Sequence, residues 1–159
     1  MSSTAQLASH RQTLYFASLH CQQLAGGESL QQRQCVLEAA TECLYRSAVF
    51  LAQHLLEQSA ARVTAKITHG HAFASWPLQM QSEPAQDPAL QRLVTAFSPP
   101  NPLAELLVAY QVMWQPANTQ RSADHLTLVD TSVSLASCIE WHSLLEGLAA
   151  ECIAMQSEY

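Results

Sequence analysis

SLQQRQCVLEAATECLYRSAVFLAQHLLEQ, residues Ser29 to Gln58, is the longest stretch with one sustained period. Leu30, Leu37, Leu44 and Leu51 recur every seven residues, with Ala40 and Ser47 between them on the same side. Val36, Cys43 and Phe50 form a second row on the adjacent flank, and no proline or glycine interrupts either row. Ser29 with Gln32 matches a capping box, in which each side chain satisfies an unpaired amide at a helix start. The stretch predicts a single helix, roughly 45 Å long at about 1.5 Å of rise per residue. A two-stranded leucine zipper would need a narrow seam flanked by charges that select the partner. Here the flanks are Gln34, Thr41 and Ala48 on one side and Val36, Cys43 and Phe50 on the other. An apolar face that wide and uncharged belongs inside a globular helix bundle, with this helix as its spine.

Upstream, Thr4 to Ala25 predicts a first helix, its buried stripe formed by Leu7, His10, Leu14, Ala17, Cys21 and Leu24. Tyr15, Phe16 and Leu19 fall off that stripe as a second apolar patch, to be covered by the middle of the chain or by another subunit. Gly26 and Gly27 end the helix, and a turn that short makes the first two helices antiparallel neighbours. Downstream, Ala60 to Thr68 extends the spine or follows it, and His69-Gly70-His71 closes it. Ala72 to Gln86, with Trp76-Pro77 and Pro84, shows no clear period and is expected to be an irregular strap across the bundle. Its Phe73, Trp76, Leu78 and Met80 are too apolar for a disordered linker.

Asp87-Pro88 opens a short helix to about Phe97, with Asp as cap and Pro at the first helical position. Pro99-Pro100 breaks it, and Asn101-Pro102 repeats the start signal for a helix to about Gln115. Pro116 to Asp124 reads as loop, and Leu126 to Val129 as a short apolar segment. The last helix begins near Thr131 to Ser134. Leu135, Cys138, Ile139, Trp141, His142, Leu145, Leu148, Ala149, Cys152 and Ile153 share one broad face of it. The expected fold is all-α: a four-helix-bundle-like single domain over residues 1–159, with the irregular strap and a short extra helix in the crossover between the second and third main helices.

Composition excludes several function classes. Charged residues make up 13% of the chain, about half the usual share, and 17 glutamines fill the gap. Sparse charge weakens the repulsion that keeps proteins apart and favours self-association or a protein partner. A net charge of −6, with Lys66 the one lysine and six arginines scattered singly, argues against nucleic acid and against anionic membrane surfaces. The start MSSTAQLASHRQTLYF lacks the pattern of a signal peptide, and no run reaches the length of a membrane span. Cys21, Cys35, Cys43, Cys138 and Cys152 are odd in number and form no CxxC pair, so reduced thiols in a cytoplasm are expected.

Two constellations bear on chemistry. His142 lies in the apolar face of the last helix, one turn after Cys138 and one turn before Glu146. With Cys21 and Cys43 facing inward from other helices, a core Cys/His site can be drawn. Free cysteine is nonetheless a common small core residue, and none of these ligands forms a paired zinc motif. His69-x-His71 is a turn by the same reasoning. No metal and no cofactor is therefore expected, and His142 and Cys138 stand as candidates for a small-molecule pocket. Glu38, Glu42 and Arg46 step four apart and form a solvated face. Neither Glu-x-x-His nor GxSxG, a phosphate-binding loop, a dinucleotide fingerprint or HExxH occurs.

The paired apolar helices with an Ala- and Leu-rich spine resemble HEPN-type bundles, some of which are ribonucleases carrying an arginine, four to six residues, then a histidine. Here Arg46 to His54 has seven residues between, Arg11 to His20 eight, and Arg121 to His125 three, so the nuclease does not follow. A closer similarity lies in Arg11-Gln12-Thr13-Leu14-Tyr15-Phe16-Ala17, the Glu38 to Leu55 helix, and Trp141-His142-Ser143-Leu144-Leu145 ahead of a terminal tyrosine. Across that third of the chain the protein resembles a family of uncharacterised small helical bacterial proteins, a domain of unknown function. The resemblance implies a small, mostly helical protein and carries over no catalytic residue. The expected function is non-catalytic, through protein contacts or homodimer formation by Tyr15, Phe16 and Leu19. The alternative is a small-molecule- or metal-binding bundle, either a binding protein or an enzyme, with a pocket near His142.

Overall fold

In a computed structural model, residues 2–24, 26, 28–59, 70–82, 87–114 and 133–157 are described. They form α1 (Ser3–Gln23), α2 (Leu30–Gln58), a 3-10 helix (Gly70–Ser75), α3 (Trp76–Ser82), α4 (Pro88–Ala96), α5 (Pro102–Trp114) and α6 (Leu135–Ser157). No strand occurs among them. The fold is all-α. The expectations for 60–68, for His69, for 83–86 and for 115–132 lie outside the described residues.

The helix ends follow from local chemistry. At α2 the capping box is complete: the Gln32 amide donates to Ser29 Oγ (3.2 Å) and the Ser29 amide to Gln32 Oε1 (3.0 Å). Between α1 and α2, Gly26 sits at φ 92°, the left-handed conformation that a side chain would strain. Asp87 caps α4, its Oδ1 accepting from Ala89 (2.8 Å) and Leu90 (3.2 Å). Past α4, Pro99 and Pro100 carry no amide hydrogen for the last carbonyls of the helix. Asn101 supplies it instead, its Nδ2 donating to Thr95 O (2.8 Å) and Ser98 O (2.9 Å). Its side chain thus closes α4, while Pro102 opens α5. Ser134 Oγ accepts from the Ser137 amide (3.0 Å) at the head of α6.

α2 is the spine: it packs against α1, α4, α5, α6 and the 3-10 helix. α6 lies along it, with α1 on one flank of the α2–α6 pair and α4 and α5 on the other. Leu37, Leu44, Leu51, Ala40, Ala48 and Ala52 of α2 are buried, whereas Leu30, first in the heptad row, is 87% exposed. The row begins ahead of the buried stretch of α2. On α6, Cys138, Trp141, Leu145, Leu148, Ala149 and Cys152 are buried, but Ile139 is exposed, which corrects its placement on the inner face.

The strap differs from expectation. Its described part is helical rather than irregular, and it is core rather than cover: Phe73, Trp76, Pro77 and Met80 are all buried. Tyr45 of α2 stacks on Tyr110 of α5 with ring centroids 3.4 Å apart, and meets Phe73 edge-on at 5.8 Å. Phe73 in turn packs on Trp76 (5.8 Å) and edge-on to Phe97 (5.2 Å). The Tyr45 hydroxyl donates to the Gly70 carbonyl (2.7 Å), which ties the start of the strap to the spine. None of this reaches α1, which packs only on α2 and α6 among the described elements.

α1 and α2 are locked in register by two reciprocal clasps. His10 Nδ1–H donates to the Ser47 carbonyl (3.0 Å) beside Ser47 Oγ (2.8 Å), and Ser47 Oγ donates to the His10 carbonyl (3.2 Å). Seven residues away on each helix the roles exchange. His54 Nδ1–H donates to the Ser3 carbonyl (2.9 Å) beside Ser3 Oγ (2.6 Å), which also accepts from Gln58 Nε2 (2.6 Å). Gln6 Nε2 donates to Glu57 Oε1 (2.8 Å) close by. A slip of either helix by one turn would strand these polar groups in an apolar interface, where each orphan costs about 1–3 kcal/mol.

Candidate functional site

A groove of about 490 Å³ runs between α1 and α6. Leu7, His10, Arg11, Leu14, Tyr15 and Ser18 form one wall, and His142, Glu146, Ala149, Ala150 and Ile153 the other. Both sets recur every three or four residues, so each wall is a single helix face. Cys138, at the start of α6, sits at the Thr41 layer of α2, near the α1 turn of Phe16 and Ala17, so α6 runs antiparallel to α1 with His142 toward Ser18 and Ile153 toward Leu7. Ala149 and Ala150 contribute only short side chains to the α6 wall.

The groove joins residues that the sequence assigned to two different functions. His142 is half-buried and lines it. Tyr15 lines it too and is 59% exposed, and Phe16 beside it is 43% exposed, their rings 6.2 Å apart. Leu19, the third member of that patch, is half-buried. Among the described residues, neither the 3-10 helix nor α3, α4 or α5 packs on α1, so none of these elements covers the aromatic pair. Arg11 and Glu146, both exposed, place opposite charges on the two walls.

Cys138 does not share this site. It is fully buried, its Sγ 3.9 Å from Thr41 Oγ1 of α2 and its side chain beside Cys21 of α1. No group of three His, Cys, Asp or Glu side chains suited to a metal occurs among the described residues, so the site drawn through His142, Cys138, Cys21 and Cys43 is not assembled. His71 instead bonds through Nδ1 with the Tyr110 hydroxyl (3.0 Å).

His10 is the site residue whose role the sequence hid. It appears there only as a member of an apolar stripe, and the one signal was a pair of Ser and His residues seven apart on each of two adjacent helices. Its Nδ1–H is committed to Ser47, so in the neutral ring Nε2 is left as an acceptor. Burial holds its pKa below the ordinary 6.5, with the Arg11 charge and His54 adding to that and the Ser47 carbonyl opposing it.

The folded state therefore favours neutral His10, while the unfolded chain takes up its proton from about pH 6.5 downward. The resulting stabilisation is complete above that value and is lost as pH falls toward the lower folded pKa. In an NMR titration, the His10 ring resonances should move at lower pH than 6.5. His10→Asn, which keeps a donor for Ser47 but cannot titrate, should flatten the fall in melting temperature between pH 7 and 5. Titration at or above the ordinary value would contradict this account.

Comparison with family models, with curated proteins and with solved structures finds no match to this chain. Among the described residues, no helix is long and apolar enough to cross a membrane.

Proposed function

We propose that the protein is a non-catalytic cytoplasmic helical module that works by self-association through its α1–α6 face. One observation carries the reading: this single face holds an apolar groove, an exposed aromatic pair beside it, and opposite charges on its two walls. A twofold interface applies the same patch to itself, so the patch must contain both partners of every contact. Here Tyr15 and Phe16 supply the projection and the groove the recess, while Arg11 of one copy and Glu146 of the other form the complementary pair. Low charge overall favours the same outcome, and five free cysteines suit a reducing compartment. The reading requires no metal and no cofactor. Phe16→Glu should convert a two-chain species to single chains in light scattering, with helicity by circular dichroism unchanged. An unchanged mass would sink the reading.

A second reading has its own support. The groove volume falls within the roughly 300–1,000 Å³ range of small-molecule sites, and His10, His142 and Glu146 converge on it as polar anchors. In that case His142→Ala should release a bound molecule without lowering the melting temperature. A variant that is merely less stable would assign His142 to packing.

A further inference from the structure

We propose that Cys21 and Cys138 form a redox-active dithiol, in which a peroxide oxidises Cys21 and Cys138 resolves it to a disulfide joining α1 to α6. The register of the two helices places the thiols together. Ser18 and His142 line one end of the groove; Cys21 lies one turn beyond Ser18 on α1, and Cys138 one turn before His142 on α6. The pairing of His10 with Ser47 and of Ser3 with His54 sets Thr41 of α2 beside the Phe16–Ala17 turn of α1, one turn short of Cys21, and Cys138 Sγ lies 3.9 Å from Thr41 Oγ1, so the Cys21 and Cys138 side chains are neighbours.

The two sulfurs are placed for different roles. Cys21 is half-buried and reachable from solvent, whereas Cys138 is fully enclosed. The interaction with Cys138 lowers the Cys21 pKa below that of an ordinary thiol against the opposing effect of burial, and raises that of Cys138, so Cys21 is the sulfur that ionises first. Thr41 donates its own hydroxyl proton to the Leu37 carbonyl (2.8 Å), which leaves Oγ1, 3.9 Å from Cys138 Sγ, as an acceptor beside that thiol. The remaining cysteines lack such a partner: Cys152 is buried, donates to the Ala89 carbonyl (3.6 Å) and is pushed up to about 11, and burial raises Cys43. Cys35 is exposed on α2.

The chemistry balances with hydrogen peroxide as oxidant. The Cys21 thiolate attacks one peroxide oxygen; the S–O bond forms, the O–O bond breaks, and hydroxide leaves and is protonated to water. The sulfur of Cys138 then attacks Cys21 sulfenic acid; the S–S bond forms, the S–O bond breaks, and a second water leaves with the Cys138 proton. Two thiols have lost two electrons and two protons, and the peroxide has gained them. A cellular thiol reverses the step by exchange. The cysteine pair lies one turn beyond the end of the groove and does not depend on what the groove holds.

The test treats the reduced full chain with hydrogen peroxide, removes the peroxide, unfolds the chain in denaturant, blocks the remaining thiols with a maleimide, and reads intact mass and proteolytic peptides. The expected species has lost two hydrogens, takes up three maleimides where the reduced chain takes five, and yields one cross-linked peptide pair containing Cys21 and Cys138. Cys138→Ala should stop at a Cys21 sulfenic acid trappable by a 1,3-dione. Five maleimides on every peroxide-treated chain, or a disulfide drawing on Cys35, Cys43 or Cys152 instead, would overturn the proposal. Both outcomes are read on wild-type protein and do not rely on the variant folding.

Discussion

Trp76→Ala should cost about 3–5 kcal/mol of folding stability, the range for deleting a buried aromatic side chain. Trp76 is 1% exposed and packs on Phe73, which itself bridges to Tyr45 of the spine and Phe97 past α4. Removing the indole leaves a cavity bordered by rings that cannot all move inward, because Tyr45 is held by Tyr110 and by its bond to Gly70. Domains of this kind have about 5–15 kcal/mol of stability in all, so the variant should be near unfolding at physiological temperature. Leu78, two residues away and 66% exposed, provides the control: Leu78→Ala should change stability by no more than about 0.5 kcal/mol. Urea unfolding followed by circular dichroism measures both. Equal, small effects would show that the strap is a cover after all.

The second large effect lies within the heptad row. Leu44→Ala should cost about 2–5 kcal/mol, because the side chain is fully buried where α2 meets its neighbours. Leu30→Ala, in the same row and indistinguishable from it by spacing, should cost within about 0.5 kcal/mol, because Leu30 is 87% exposed. The contrast separates a bundle spine from a zipper. In a zipper every leucine of the seam meets a partner, and the two substitutions would weaken the protein alike.

These pairs show what the sequence could and could not disclose. Helix starts were legible because capping is local: Ser29 with Gln32, and Asp87 with Pro88, need no distant partner. The inner face of α2 was legible from Leu37 onward because its period persists over several turns. The strap was not, although Phe73, Trp76, Pro77 and Met80 do fall at the spacing of one helix face. Pro77 hid the pattern, since proline usually punctuates; here it sits in the first turn of α3, where no amide partner is required.

The candidate site was half legible. His142 and the Tyr15–Phe16 patch were each visible as unusual residues, but nothing in the order of residues says that α1 and α6 are adjacent. Only that adjacency makes them one groove. The same missing adjacency grouped Cys138 with His142, when its side chain lies beside Thr41 and Cys21. The polar face of α1 was least visible, because Ser3 and His10 acquire meaning only from His54 and Ser47 on the opposing helix.

The most direct test of self-association through the α1–α6 face is native mass spectrometry of the untagged, reduced protein across micromolar concentrations. The account predicts a species of twice the 17.5 kDa chain mass, free of added mass, and its loss in Phe16→Glu. Single chains at every concentration would contradict it. If those single chains carried an extra mass that is released on denaturation and lost in His142→Ala, the groove would be a ligand site instead.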